Sequence, residues 1–327
     1  MMTLEEIRNT IAPELEALAR RIDSALGSGN QLMNSVVEGY LKSKGKMIRP
    51  ILVILTAKML GEVNDRVMAG AAAVELLHNA SLIHDDVIDE SKMRRGRPTV
   101  NSRWDNHIAV LVGDFFVSSS LQQALSTEDI RVVSSIASLG RLLSLGEIDQ
   151  IYNARYHCLE ESAYLEVIRR KTASLFVSCV EIGGYAVGAS EEQLAPMRRY
   201  AELLGLCFQI RDDIFDYSDD AATIGKPVGN DLREGKVTLP LLSALNRTDL
   251  AEAASMRELV GKDELSDDEI AVLIDFARRG GGIDYAYARM EELASEGIAE
   301  LERVASPSGR AAEALADIFR YIIERDR

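Results

Sequence analysis

Two carboxylate clusters, Asp85-Asp86-Val87-Ile88-Asp89 and Asp212-Asp213-Ile214-Phe215-Asp216, share the pattern Asp-Asp-apolar-x-Asp. Each closes a strongly apolar run, Leu76 to His84 before the first and Leu203 to Arg211 before the second. On a helix, residues four apart stack on one face, about 6 Å apart along the axis. Asp85 and Asp89 are therefore expected to point one way, as are Asp212 and Asp216. Ionised carboxylates in apolar stretches are very costly unless a cation neutralises them, so the clusters point to several divalent ions. A glycine-containing loop with cations follows each cluster at once: Arg94-Arg95-Gly96-Arg97-Pro98-Thr99 after the first, and Tyr217 to Pro240, with Lys226 and Lys236, after the second. Mg²⁺ favours a few carboxylates plus phosphate oxygens and water, while Arg forks and Lys point charges hold the remaining phosphate oxygens. One such cluster reads as well as a solvated helix end; two, each with a basic loop behind it, do not. Lys46 and Arg49 in Gly45-Lys46-Met47-Ile48-Arg49-Pro50, and Lys171-Thr172 within an apolar segment, are weaker signals when taken singly.

Other chemistries lack their residues. Glu75-x-x-His78 fits half of a di-iron carboxylate site, but none of the other three histidines has a glutamate three positions before it. There is no GxSxG, HExxH or Walker-type loop, so acyl transfer, zinc hydrolysis and P-loop nucleotide chemistry have no support. Cys158, Cys179 and Cys207 are odd in number and widely spaced, as expected of buried thiols in a cytoplasmic protein. The net charge of −15 argues against nucleic acid as a partner and makes any anion site a local feature. The longest apolar run, Ile51 to Leu60, contains Lys58 and is too short for a transmembrane segment.

The elements that must position these groups read as helices. Of 327 residues, 47% are hydrophobic, enough for one large core, and none of the seven prolines falls between Pro98 and Pro196. Apolar residues recur at helical spacing over Arg66–His84, Ile108–Ala124, Ile130–Ala154, Ser162–Val187 and Glu191–Asp213. Met1 to Asp23 reads as an amphipathic surface helix. No alternating run with hairpin signals predicts a sheet core, and no Pro-, Gly- or Ser-rich linker divides the chain. The expectation is one all-α domain over residues 1–327, a large helical bundle.

With these residues laid out, the chain resembles the trans-(all-E) polyprenyl diphosphate synthases over nearly its whole length. The family's two aspartate-rich motifs are matched by Asp85–Asp89 and Asp212–Asp216. Its GKxxRP stretch is matched by Gly45, Lys46, Arg49 and Pro50, and its RRGxPT segment by Arg94, Arg95, Gly96, Pro98 and Thr99. Lys171 and Thr172 match its Lys-Thr pair, and Lys226 and Lys236 its late lysines; Lys44 stands where many members have a second glycine. The resemblance implies the isoprenoid synthase type I fold with a central cavity, a homodimer, and three Mg²⁺ ions per active site. It implies that an allylic diphosphate ionises and that isopentenyl diphosphate attacks the cation. Asp85, Asp89 and Asp212 would be direct metal ligands, supported by Asp86, Asp213 and Asp216. Arg94, Lys171, Lys226 and Lys236 would grip the allylic diphosphate, and Lys46, Arg49, His78 and Arg95 would bind isopentenyl diphosphate. Thr172 and Gln209 would stabilise the cation with their oxygens.

Small Ala80 and Ser81 lie one turn before Asp85, where members that stop at fifteen carbons typically carry an aromatic. The resemblance is thus to a long-chain enzyme, octaprenyl in the first instance and started on farnesyl diphosphate. Alternatives are a farnesyl or geranylgeranyl diphosphate synthase, a class I terpene cyclase, or one subunit of a heteromeric synthase. A cyclase normally carries NDxxSxxxE as its second metal motif. After Asn230-Asp231, Glu234 replaces its serine and Thr238 its glutamate. Regulatory partners of heteromeric synthases usually lose aspartates from one cluster, and this chain keeps all six.

Overall fold

The computed structural model describes residues 2–42, 45–217, 228–247, 250–262, 264–304 and 309–324. Lys44 and Lys226 lie outside them. The helices are α1 (Leu4–Thr10), α2 (Ala12–Ala25), α3 (Gln31–Leu41), α4 (Ile48–Leu60), α5 (Asp65–Ile88), α6 (Val100–Arg103), α7 (Asn106–Leu125), α8 (Ile130–Arg155), α9 (Glu161–Ile168), α10 (Ser174–Ala186), α11 (Glu191–Phe215), α12 (Asn230–Arg233), α13 (Leu239–Arg247), α14 (Leu250–Val260), α15 (Asp267–Arg279), α16 (Gly282–Glu302) and α17 (Arg310–Glu324). The all-α expectation holds. The chain forms two compact units, one of residues 1–141, 175–199 and 301–318, the other of residues 142–174, 200–300 and 319–327.

In the first unit, α5 is the organising element. Asn64 accepts a hydrogen bond from the Val67 N–H and so starts it. Val67, Ala71, Val74, Leu76, Ala80 and Ile83 are all buried, so the helix is apolar on most faces and belongs in a core. Close approach depends on glycine: a Cβ on Gly113 of α7 would lie 2.1 Å from Nε2 of His84 on α5. The N-terminal segment differs from its expectation in two ways. Pro13 opens a new helix, so the chain breaks at Ile11, and Ile7, Ile11, Leu18 and Ile22 are buried.

The second unit departs from simple periodicity at one place. The expected continuous helix over Ser162–Val187 is interrupted at Arg169–Ala173 by a π-helical turn, a feature that inserts one residue and re-aims those around it. That turn carries Lys171 and Thr172. Gly146 of α8 lets it pack closely, because a Cβ there would lie 2.7 Å from the Lys171 backbone nitrogen. A smaller apolar cluster of Leu241, Leu245, Leu273 and Phe276 joins α13 to α15.

A two-residue antiparallel ladder pairs Met93 with Pro98 and Arg94 with Arg97. Arg95 (φ 51°) and Gly96 (φ 72°) form its turn, the left-handed pair that a two-residue hairpin needs. The sequence marks this stretch only as a cationic loop, because the hairpin has just two residues of strand on either side of its turn.

Candidate active site

In the first unit, the carboxylates at the end of α5 divide by burial. Asp86 is buried, and its Oδ1 accepts a hydrogen bond from Arg94 Nε at 2.8 Å. Asp85 is half-buried and Asp89, the C-cap, is exposed. The Asp89 N–H still donates to the Asp85 carbonyl (2.8 Å), so these two keep helical register as expected. Behind them, Thr99 Oγ1 donates to the Ser91 carbonyl (2.8 Å) and Asn101 Nδ2 to that of Asp86 (3.0 Å). The hairpin is thereby tied to the cluster it follows, and Arg94 is held on Asp86.

One turn and more back along α5, a buried polar row faces the cationic segment. Asn79 Nδ2 donates to the Glu75 carbonyl (2.8 Å), and Tyr40 Oη to Asn79 Oδ1 (3.1 Å). Tyr40, Gly45, Glu75, Asn79 and Arg95 line a cavity of about 190 Å³. Arg95 packs over Gly45, where a Cβ would lie 2.7 Å from its guanidinium, and Arg49 lies over the Phe176 ring, 5.6 Å from its centroid. Burial pushes the Glu75 carboxyl above its usual range, against the pull of Arg49 and Arg95. His78 moves the other way, well below an ordinary histidine. Burial disfavours its charge, and Arg49, Arg95 and Arg94 disfavour it further. His78 is therefore neutral at neutral pH, able to donate one hydrogen bond to an anion. Glu75, Asn79 and Tyr40 were missed as site residues, since half of an iron motif was the only signal Glu75 gave.

The folded pKa of His78 lies below its unfolded value of about 6.5, so below that pH the unfolded chain binds more protons. The stability contributed by neutral His78 is present above about pH 6.5 and lost as pH falls, by up to about 1.4 kcal/mol per pH unit. Thermal melts of wild type and His78→Gln from pH 7.5 to about pH 5 should show the wild type losing stability faster; parallel curves would remove His78 as the cause.

In the second unit the same division recurs. Asp213 is buried, with both oxygens engaged: Oδ2 accepts from Tyr164 Oη at 2.7 Å and Oδ1 from Gln209 Nε2 at 2.8 Å. Burial, then neighbouring Asp231, raises its carboxyl well above the normal range. Asp212 is half-buried. Asp216 departs from expectation. Helix α11 ends at Phe215, and Asp216 instead accepts the backbone N–H groups of Asn230 and Asp231, both at 2.9 Å. It thus pins the far end of the basic loop onto the cluster. Arg211, buried between the rings of Phe215 (4.8 Å) and Tyr287 (5.0 Å), fixes the rotation of α11 at this point.

A cavity of about 180 Å³ collects Lys171, Thr172, Gln209, Asp213, Lys236 and Thr238 along its wall. Thr172 Oγ1 donates to Gln209 Oε1 at 2.7 Å. Lys171 is ion-paired to Glu147 and bonds Gln150 Oε1 (3.2 Å), while Lys236 is 2.5 Å from Glu234. Five of the eight residues expected to do catalysis or to grip the allylic diphosphate from this unit therefore share one cavity. Asp212 and Asp216 are outside its lining. Tyr164 was missed, because a lone tyrosine on a helix carries no sequence signal.

No group of three His, Cys, Asp or Glu residues is arranged to hold a metal among the described residues. The donor chemistry nevertheless fits Mg²⁺, which takes one or two carboxylates and completes its octahedron with water and phosphate oxygens. In each cluster the second aspartate is committed to protein donors and the first is more open.

Residues 30–276 match the family model of polyprenyl synthetase. Octaprenyl diphosphate synthase of Haemophilus influenzae is 34% identical over 329 residues, covering 100% of this chain and 98% of the relative. The crystal structure of a decaprenyl diphosphate synthase from Rhodobacter capsulatus superposes with a TM-score of 0.92 at 32% identity, covering 99% of this chain and 100% of the other. A polyprenyl synthase from Caulobacter crescentus, solved with calcium and isoprenyl diphosphate, gives 0.92 at 30% identity, covering 99% and 98%. These define the class, an all-α isoprenoid synthase. The chain belongs to the polyprenyl synthetase family. It is a prenyltransferase of trans-prenyl chain elongation.

Proposed function

We propose that the enzyme adds isopentenyl diphosphate to an allylic diphosphate, with farnesyl diphosphate as primer, and makes a long all-trans product, octaprenyl diphosphate. The observation that carries this is the cavity wall on which Lys171 and Lys236 stand beside Thr172 and Gln209. Anion-binding and cation-tolerant groups meet there, as ionisation of an allylic diphosphate requires. Lys171, Lys236, Arg94 and, from the resemblance, Lys226 hold the allylic diphosphate. Lys46, Arg49, His78 and Arg95 hold isopentenyl diphosphate, with His78 neutral. Thr172 and Gln209 turn oxygens toward the cation, and apolar walls exclude water from it. Asp85, Asp89 and Asp212 would hold Mg²⁺, three ions in all, with Asp86, Asp213 and Asp216 in support. The bound ions would neutralise charge building on the departing diphosphate. The Caulobacter relative's divalent ion and isoprenyl diphosphate support this assignment. In this reading residues 1–327 act as one catalytic domain.

The reading is tested by incubating the purified protein with farnesyl diphosphate, labelled isopentenyl diphosphate and Mg²⁺, then sizing the products. Products of fifteen or twenty carbons would replace the long-chain assignment, and a hydrocarbon formed without isopentenyl diphosphate would indicate a cyclase. No turnover by the protein alone would indicate a heteromeric partner.

We also propose a cytoplasmic homodimer built on α7. This helix is long and apolar enough, by length and composition, to cross a membrane, yet 39% of the stretch is buried. On it Val110, Leu111, Leu121 and Leu125 are exposed, with Trp104 just before it. An exposed apolar face of this kind marks a docking surface. Leu111→Glu with Leu121→Glu should shift the solution mass, measured by light scattering, from dimer to monomer. An unchanged mass would place the interface elsewhere.

A further inference from the structure

The hydrogen bonds around Asp213 run in one direction, and that direction sets what Thr172 presents to the cavity. Tyr164, buried on α9, donates its hydroxyl to Asp213 Oδ2 at 2.7 Å. Burial keeps its phenol protonated, so the hydroxyl hydrogen is available to Asp213. Gln209, one turn before Asp213 on α11, donates Nε2 to Oδ1 at 2.8 Å. An amide nitrogen donates and cannot accept, so contact with the carboxyl oxygen fixes which end of the amide faces the other way. That end is Oε1, which accepts from Thr172 Oγ1 at 2.7 Å. The threonine hydroxyl has one hydrogen, and it is committed to Gln209. What Thr172 retains is acceptor capacity only, on the wall of the 180 Å³ cavity. Turned over, the amide would give its N–H to Thr172 and send the hydroxyl hydrogen toward the cavity, the wrong sign for a carbocation.

We propose that Tyr164 is a positioning residue for prenyl transfer: through Asp213 and Gln209 it fixes the polarity of the Thr172 hydroxyl so that an oxygen lone pair, and not a hydrogen, meets the allylic cation. This rests on the prenyl-elongation reading and deepens it. Tyr164 borders the same cavity, but its hydroxyl is committed to Asp213, so its contribution is assigned to the ionisation step and not to binding.

Tyr164→Phe removes the first donor while keeping the ring. Its kcat should fall about tenfold to a hundredfold, less than the roughly hundredfold to thousandfold for losing a dipole that itself meets the developing charge. KM for both diphosphates should stay within about threefold. A purely packing role would not give that split. The decisive measurement is a double-mutant cycle with Thr172→Val. If Tyr164 acts through Thr172, the double variant is no slower than Thr172→Val alone. Losses that multiply, an unchanged kcat in Tyr164→Phe, or a rise in KM at constant kcat would each overturn the proposal. If Tyr164→Phe does not fold, 3-fluorotyrosine at position 164 serves, since it alters the donor without removing it: a change in kcat that vanishes in the Thr172→Val background supports the relay, and no change, or the same change in both backgrounds, overturns it. Wild-type turnover is the control; its absence would count against prenyl elongation itself and not against Tyr164.

Discussion

Asp85→Asn and Asp212→Asn should each lower kcat/KM for elongation on the order of a thousandfold if, as proposed, these carboxylates hold the Mg²⁺ that binds the diphosphate. The melting temperature should barely move, since both side chains are only half-buried. The loss should be partly restored by raising Mg²⁺ at fixed substrate, which separates a metal ligand from a group acting on carbon. Buried neighbours behave differently. Asp86→Ala strands Arg94, and Asp213→Ala strands Tyr164 and Gln209. Leaving a buried donor such as Tyr164 unpaired costs about 1–3 kcal/mol, and the half-buried Arg94 and Gln209 cost less, so these variants should lose activity and stability together, Asp213→Ala the more. Kinetics with Mg²⁺ titration, paired with thermal melts, distinguishes the two classes. If Asp85→Asn and Asp212→Asn kept wild-type activity, the metal assignment would fall.

Ser81→Phe should shorten the product to farnesyl- or geranylgeranyl-sized chains. The two small residues before Asp85 are not equivalent. Ser81 is half-buried, its hydroxyl donating to the His78 carbonyl at 2.9 Å, so its face of α5 has room for a ring. Ala80 is fully buried. A phenyl group there overpacks the core, at roughly 1–3 kcal/mol or more, and Ala80→Phe should register as lost stability. Chromatography of the extracted products with melts of both variants reads this out. Long chains from a folded Ser81→Phe enzyme would remove Ser81 as the determinant.

The legible parts of the sequence were those with local causes. Periodicity located α5, α7, α8 and α11 to within a few residues, because apolar spacing and caps act within one helix. The aspartate clusters and the lysines beside Thr172 were legible as types. Their division of labour was not. That Asp86 and Asp213 are committed to protein donors while Asp85 and Asp212 remain more open depends on Arg94, Tyr164 and Gln209, and two of these partners come from other elements. Two further features depend on tertiary packing. The π turn at Arg169–Ala173 rests against Gly146, far away in sequence. Asp216 leaves helical register because two distant N–H groups compete for it. Glu75 illustrates the converse, a real motif fragment whose meaning changed once Arg49 and Arg95 were seen around it.

The lysines at the second cavity already have anions. Lys171 is paired with Glu147 and Lys236 with Glu234, so under the proposed function a diphosphate would arrive as a competitor and swap one negative partner for another. Its grip is then the difference between two ion pairs, far weaker than either taken from water. For an enzyme whose product returns as the next substrate, that difference is useful in both directions. In that proposal the glutamates would act as resident placeholders that take the lysines back when diphosphate leaves. The cradle stays neutral and preorganised between rounds, and each spent anion is released by exchange without leaving bare charge behind.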